Sequence, residues 1–461
     1  MTSCTQAPRL LIAPLAAVLV GGPALAEPAR TEPPAKAEQA EPAQPVDPAE
    51  PGAVAEPSAG QPGDPPGSFD PLLGGADDSR VGRIGRVHDN IRRDRRRRSF
   101  FLEAKELYGD YARFKQRLDQ QAGLSWSVDF SYLPQWAGPE GGSPSTQFLT
   151  TSNLDVRLFR SKSLGEGSVQ VAYTTARYPS VQNGANLSST IGAITLINDF
   201  PVYQNTFAQL SYTHTFPGNT VLLTVGQYPF YNFDGNFYLA IQQENFNSYI
   251  FSQNGSSTYP IAGLGAYAQV NITDTIQLAG GLQNPNNLSG STLATPNFRN
   301  GSYAWFGYLQ WTPKFPGLGS AQYSFTYYQV PRIPEQNASS GWSFNAMQNL
   351  NHTWALFARA NSAYQTYAPI RSSYALGAAM NDPLGRNKLD QIGLAIGLST
   401  AAPAPENPPG ARTEKVIEAY WNWAFTGALL ITPSVQLIID PALAPDRGTS
   451  WSLPLRGTLM L

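Results

Sequence analysis

The sequence predicts an all-β membrane protein: a 16-stranded antiparallel transmembrane β-barrel with an N-terminal periplasmic helix. Three observations predict it. The first is unbroken two-residue alternation toward the C-terminus. Ile417, Ala419, Trp421, Trp423 and Phe425 share one side of the chain, and Glu418, Tyr420 and Asn422 share the other. Val435, Leu437 and Ile439 then alternate with Ser434, Gln436 and Asp440. Trp451, Leu453, Leu455, Leu459 and Leu461 stand against Ser452, Arg456 and Thr458. A strand has period two, so one face here is apolar and its opposite polar. The second observation is the charge on the polar face. A dry sandwich interior accepts unpaired Glu418, Asp440 or Arg456 only at high cost. Apolar residues facing lipid and polar residues facing a wet lumen resolve the conflict. The third observation is that long and short connections alternate along the chain.

Composition sets the frame for the elements before the barrel. The 461 residues carry a formal net charge of −2, which gives no general attraction for nucleic acid or other polyanions. Residues 1–26 read as a secretory signal peptide: Arg9, an apolar run from Leu10 to Val20, and Ala24-Leu25-Ala26 as the cleavage site. The single cysteine, Cys4, falls inside it, so the mature chain is expected to have no disulfide and no thiolate metal site. Residues 27–98 are a linker rich in Pro, Ala and Glu, without the apolar residues needed for a core. It ends in Arg92, Arg93, Arg95, Arg96, Arg97 and Arg98 around Asp94. One reading of this run is contact with anionic cell-wall polymer or lipid head groups; the other is a solvated charge run.

Residues 99–123 form the one good helix. Ser99 can cap it, Glu103 and Glu106 lie in its early turns, and Gly123 follows its end. Phe100, Leu107, Tyr111, Phe114 and Leu118 make an apolar stripe that suits packing on the barrel or a short coiled coil.

The barrel itself occupies residues 124–461. Sixteen strand candidates fall at 125–133, 153–160, 168–177, 206–216, 220–228, 263–272, 275–283 and 303–311, then at 321–330, 341–349, 352–360, 373–380, 390–399, 415–425, 428–440 and 449–461. Most have the length that a tilted strand needs to cross a bilayer. Long connections follow the first, third, fifth and seventh candidates, at 134–152, 178–205, 229–262 and 284–302. Tight turns follow the fourth, sixth, tenth and fourteenth, at 217–219, 273–274, 350–351 and 426–427. An outer-membrane barrel puts turns on the periplasmic side and loops outside.

Alternation then assigns the lumen. Asp129, Asp155, Arg157, Arg359, Glu418, Tyr420 and Arg456 are the candidate pore-lining, substrate-binding residues. Charges of both signs in a narrow wet space favour hydrogen bonding to hydroxyls over attraction of one ion, and an aromatic plane can stack on a sugar ring. The alternative is that these charges hold lumenal water and brace the wall. The loop 229–262 carries Tyr231, Phe233, Phe237, Tyr238, Phe246 and Tyr249, too many aromatics for an exposed segment. Folding into the barrel would bury them and narrow the channel, with Asp234 and Glu244 as constriction candidates.

Catalytic signals are poor. The histidines are His88, His214 and His352, and His214 shares the lipid side with Leu210 and Tyr212 without a nucleophile partner. No phosphate loop or metal-ligand cluster is evident, so neither an enzyme, a metal nor a cofactor is expected.

In its last quarter the chain resembles the carbohydrate-selective porin family, OprB type, of Gram-negative outer membranes. The resemblance runs through Leu356-Phe357-Ala358-Arg359, Gly385-Arg386, Asp390-Gln391-Ile392-Gly393, and Thr413-Glu414-Lys415-Val416-Ile417-Glu418-Ala419-Tyr420-Trp421. It closes with Ile431-Thr432-Pro433 leading to Asp440-Pro441. It implies a sixteen-stranded outer-membrane barrel passing monosaccharides and similar small neutral solutes down their gradient, with outer-membrane lipids around it. It also leaves a homotrimer open. Leu461 stands where such barrels commonly have phenylalanine, and the extension before Ser99 lies outside the pattern. A structural tether between outer membrane and cell wall, and an export channel for a polysaccharide, are the competing functions.

Overall fold

The computed structural model describes residues 102–293, 301–334, 336–364, 368–387, 389–403 and 407–461. The expected signal peptide at 1–26, the expected linker, the arginine run at 92–98, Ser99 and Phe100 lie outside the described residues.

Sixteen strands close one antiparallel barrel. In order they are β1 (Leu124–Gly138), β2 (Ser145–Ser161), β3 (Gly165–Arg177), β4 (Gln204–Thr215), β5 (Val221–Tyr228), β6 (Gly263–Asn271), β7 (Ile276–Gln283) and β8 (Ala304–Trp311). Then follow β9 (Ala321–Val330), β10 (Ser339–Asn349), β11 (Trp354–Tyr364), β12 (Ile370–Asn381), β13 (Gln391–Ala401), β14 (Thr413–Ala424), β15 (Leu429–Ile439) and β16 (Thr449–Met460). Each strand pairs with its sequence neighbours, and β1 closes the ring on β16 through Asp129 opposite Met460 and Tyr132 opposite Gly457.

Side-chain exposure follows the alternation. On β13, Leu394 and Ile396 are 50% and 51% exposed, whereas Ala395 between them is 1% exposed. Phe130, Trp305, Phe325, Trp354 and Leu453 are likewise exposed on the outer face. An apolar outer face this extensive is stable only against hydrocarbon. No helix among the described residues is long and apolar enough to cross a membrane.

Two expectations need correction. Residues 134–152 are not one long loop. Pro134 pairs with Thr146 and Gln135 with Ser145, leaving a connection at 139–144. Proline reads as a strand stop because it lacks an N–H, but the alternation continues past it, with Gln135 buried and Trp136 exposed. Asp440 lies just beyond β15 with φ of 54° and pairs with Lys415 at 3.1 Å, outside the lumenal series.

The helix α1 (Leu102–Ala122) leads into β1. Its stripe meets Trp126: the Tyr111 and Phe114 rings lie 6.5 and 6.1 Å from the Trp126 ring, and Trp126 Nε1 donates to Tyr111 Oη at 3.2 Å. Lys115 Nζ sits 5.4 Å from the same ring, a cation–π contact. Gly123 ends the helix at φ of 66°, where a Cβ would lie 2.8 Å from the Arg157 carbonyl; glycine alone fits both demands.

Candidate functional site: a barrel lumen filled by two inserted loops

The residues assigned to the lumen by alternation form two groups. Asp129, Asp155 and Arg157 belong to β1 and β2 near the rim where α1 docks. Asp155 accepts from Ser168 Oγ at 3.2 Å. Arg157 donates to the Asp119 carbonyl of α1 at 2.5 Å, and its guanidinium stands 3.8 Å from the Asp119 carboxylate. Arg359, Glu418, Tyr420 and Arg456 belong to β11, β14 and β16, and each is 2% exposed or less. What covers them is the connection between β5 and β6.

That connection, 229–262, turns into the barrel as soon as β5 ends. A short helical turn at Phe230–Phe233 puts both phenylalanines into a cluster with Tyr228, Tyr267, Phe306, Tyr308 and Tyr328. The rings meet mostly edge to face; Phe233 and Tyr267, for example, are 5.1 Å apart at 85°, a favoured arrangement for aromatic quadrupoles. Further on, Tyr238 stacks on Phe357 of β11 at 5.2 Å, and Phe246 meets Tyr420 edge-on at 4.7 Å. The helix α2 (Gly184–Thr190) of the β3–β4 connection and the short α3 (Tyr249–Ser252) pack into the same apolar cluster through Leu187, Ile250 and Phe251. The lumen therefore contains a hydrophobic core of its own.

Polar groups fix the loop's position. Glu418 accepts the backbone N–H groups of Asn247 at 2.8 Å and Ser248 at 2.9 Å, Asn247 Nδ2 at 3.1 Å and Gln436 Nε2 at 3.2 Å. Arg456 donates to the carbonyls of Gln242 and Asn245, the latter at 2.8 Å, and to Asn247 Oδ1 at 2.9 Å. The Asn247 carboxamide thus lies between a carboxylate and a guanidinium, with its amino group toward one and its oxygen toward the other. Arg359 holds the Leu239 and Gln253 carbonyls and Asn345 Oδ1. Tyr420 donates to Asn245 Oδ1 at 3.2 Å and to Gln391.

Asp234 works from the loop side: it accepts Ser343 Oγ at 2.6 Å and Asn345 Nδ2 at 3.1 Å from β10, and Asn254 Nδ2 at 2.7 Å and Tyr259 Oη at 3.0 Å from its own loop. Burial pushes the Tyr259 hydroxyl well above its ordinary range, and the Asp234 carboxylate pushes it further. Tyr249 is raised to about 12 by burial first and Asp199 second. Glu244, the other constriction candidate, is partly exposed, and its carbonyl accepts Asn422 Nδ2 at 2.5 Å.

The second inserted segment, 178–203, lies in the long connection at 178–205, whose insertion into the barrel no aromatic clustering in the sequence signals. Its carbonyl at Ile197 accepts Gln135 Nε2 at 3.2 Å and Gln436 Nε2 at 3.0 Å, and Glu414 of β14 accepts Ile194 N–H and Thr195 N–H at 2.9 Å each. One signal could have shown Glu414: it shares the inward register of Glu418, four residues later on the same strand.

The wall from β3 to β7 is of another kind. Ser168, Gln170, Gln209, Ser211, Thr213, Thr224, Gln269 and Gln277 are buried and neutral, beside the apolar Leu222, Tyr267 and Ala279; the charged Glu166, at the start of β3, shares the register of Ser168. Several bond across the ladder, including Gln209 Nε2 to Gln170 Oε1 at 2.7 Å and Thr213 to Thr224 at 2.9 Å.

Comparison with known proteins agrees with this architecture. The family model described as "Carbohydrate-selective porin, OprB family" matches residues 170–458. Similar curated proteins include Porin AaxA of Chlamydia pneumoniae, 37% identical over 73% of this chain and 78% of its own, and Porin AaxA of Chlamydia abortus, 36% identical over 72% and 75%. A solved structure of Pseudomonas putida OprB at high pH aligns with a TM-score of 0.62 at 14% identity, over 76% of this chain and 97% of that one, and shares the fold. The closed sixteen-stranded barrel and the family match together place this chain in the carbohydrate-selective porin family, OprB type.

Proposed function

We propose that this porin sits in the outer membrane of a Gram-negative bacterium with α1 on the periplasmic side, and passes monosaccharides and similar small polyols by passive diffusion. The supporting observation is how the lumenal charges are used. Glu418, Arg359 and Arg456 are buried against the inserted loop, which offers them backbone and carboxamide partners. The buried face from β4 to β7 carries serine, threonine, glutamine and asparagine beside Leu222, Tyr228, Tyr267 and Ala279, with no charged side chain among the described residues. Hydroxyls and carboxamides both donate and accept, as sugar hydroxyls do. A wall of this kind exchanges hydrogen bonds with a polyol in passing and holds no ion strongly.

Planar-bilayer recording and liposome swelling test the proposal together. Glucose is expected to lower the single-channel conductance, and proteoliposomes are expected to swell in glucose faster than in a negatively charged sugar acid of the same size, since the arginines that would draw an anion are engaged by the loop. A channel that conducts ions but admits no sugar would end the carbohydrate reading.

A further inference from the structure

We propose that Glu414 is a positioning residue: it fixes the second inserted loop, 178–203, and so sets the upper size limit of the channel, separately from the Glu418 clamp. The proposal rests on reading the chain as a diffusion channel. Glu414 is the second residue of β14 and has no exposed surface. Its two oxygens accept three backbone N–H groups: Thr195 at 2.9 Å on one, Ile194 at 2.9 Å and Ala442 at 3.1 Å on the other. These amides come from two different connections, β3–β4 and β15–β16, so one carboxylate ties both to the wall. Leu443 N–H to the Gly192 carbonyl at 2.9 Å and Ser450 Oγ to the Ile191 carbonyl at 2.8 Å complete the junction.

The same loop rests on the one beneath it. Tyr249 N–H donates to the Leu196 carbonyl at 2.9 Å, Asp199 N–H to Gln242 Oε1 at 2.5 Å, and Gln253 Nε2 to Asp199 Oδ2 at 2.9 Å. Leu187, Ile191, Ala193 and Ile197 share an apolar cluster with Tyr238, Phe246 and Ile250 below. The lumen is therefore narrowed by two layers, each held by its own carboxylate on β14. Residues four apart on a strand stand about 13 Å from each other, so the two carboxylates hold the loops at different heights, and Gln436 Nε2 joins them by donating to both the Ile197 carbonyl and Glu418. The chemistry at this position requires a carboxylate. Three N–H groups converge on it, and a carboxamide offers one acceptor oxygen while turning an amino group toward another donor. With the carboxylate gone, the amides of 194, 195 and 442 lose their partner in a buried place, which is costly for each.

The test compares Glu414→Ala and Glu414→Gln with the wild-type porin in proteoliposomes, using glucose, a disaccharide and a trisaccharide. Both variants are expected to keep the heat-modifiable barrel and glucose entry, and to admit the trisaccharide several-fold faster, with a noisier single-channel current. A covalent link then separates loop position from other effects. Thr195 Oγ1 and Ser399 Oγ are 2.9 Å apart, so Thr195→Cys with Ser399→Cys places two thiols together in a barrel that otherwise has none. Oxidised in the Glu414→Ala background, this pair is expected to restore the wild-type size limit, and reduction is expected to abolish the restoration.

An unchanged trisaccharide rate in the folded variants overturns the proposal, as does a formed disulfide that restores nothing. Failure of both variants to reach the heat-modifiable form would assign Glu414 to barrel assembly instead and also overturn it. Should the wild-type channel admit no sugar, the diffusion reading falls on its own, while ion conductance in the variants still reports on the loop.

Discussion

Replacing Glu418 with alanine perturbs the constriction at its most connected point. The change removes the acceptor for two backbone amides of the β5–β6 loop, at 2.8 and 2.9 Å, and for two carboxamide donors. A hydrogen bond to a charged partner contributes roughly 1.5–3 kcal/mol, so the two backbone bonds alone represent about 3–6 kcal/mol. Deleting one member of a buried ionic arrangement typically costs about 3–5 kcal/mol, because the remaining charge loses its counterpart. Water can re-enter from the lumen, which favours the lower end, about 3 kcal/mol. At 1.4 kcal/mol per factor of ten, the seated loop then loses on the order of a hundredfold in population against the released one.

The assay is urea unfolding from lipid vesicles followed by tryptophan fluorescence, with single-channel recording on the same preparations. Conductance is expected to rise and its noise to increase. The decisive measurement adds Arg456→Ala. Each single variant strands the other's charge across Asn247, whereas the double variant strands neither. Its cost should therefore fall short of the sum by about 0.5–3 kcal/mol, the range for residues in one network. Strict additivity, with Glu418→Ala conducting as wild type does, would refute the clamp.

Three further outcomes are expected. Leu394→Arg places a charge on the half-exposed lipid face of β13 and should destabilise the barrel by about 2–4 kcal/mol if it lies near the bilayer midplane; an unshifted urea midpoint would contradict the outward assignment. Gly393→Ala puts a Cβ 2.3 Å from the Tyr420 ring, directly across the ladder. The overpacking should cost about 1–3 kcal/mol, whereas Gly307→Ala, with open space around its Cβ, should leave thermal stability unchanged. Tyr249 and Tyr259 are held neutral by burial, Tyr249 up to about 12. In the unfolded chain they ionise near 10, so their contribution is complete below that pH and is lost as pH rises toward the folded values. Ultraviolet titration of the folded porin should therefore show fewer ionising tyrosines near pH 10 than the urea-unfolded chain; equal counts at that pH would contradict their burial.

Much of the barrel was legible because its signal is local. Each of the sixteen candidate segments overlaps an observed strand, and the inward and outward sets of β13, β14 and β16 were read directly from alternation. The misread 134–152 shows the limit of that signal: Pro134 suggests a stop, yet Gln135 and Trp136 keep the period, and the hairpin continues to Gly138. Alternation also gives a residue's face without saying what occupies the space in front of it. Alternation groups Arg359, Glu418 and Arg456 on the polar face, and the structure buries all three under the inserted loop. Their partners, however, are Leu239, Asn247 and Asn245, separated from them in sequence by 120, 171 and 211 residues. No periodic pattern reaches across such distances.

A compositional cue did exist. The run Gln242, Gln243, Asn245 and Asn247 gathers carboxamides in the middle of an aromatic loop. Side chains that both donate and accept suit a segment seated between a carboxylate and a guanidinium, because one residue type can satisfy either charge. Asn247 does so with a single amide, and Gln243 joins Thr151 of β2 to the Asp129 carbonyl of β1. The same cue bears on selectivity. A wall charge that faced an open channel would attract or repel each passing solute, whereas a charge buried against a fixed carboxamide is balanced in place. By engaging Glu418, Arg359 and Arg456 with its own loop, the protein turns the strongest fields in its lumen into structural ties. The inward face of β4 to β7 adds no charged side chain among the described residues, so under the proposed diffusion function size is expected to decide passage more than charge does.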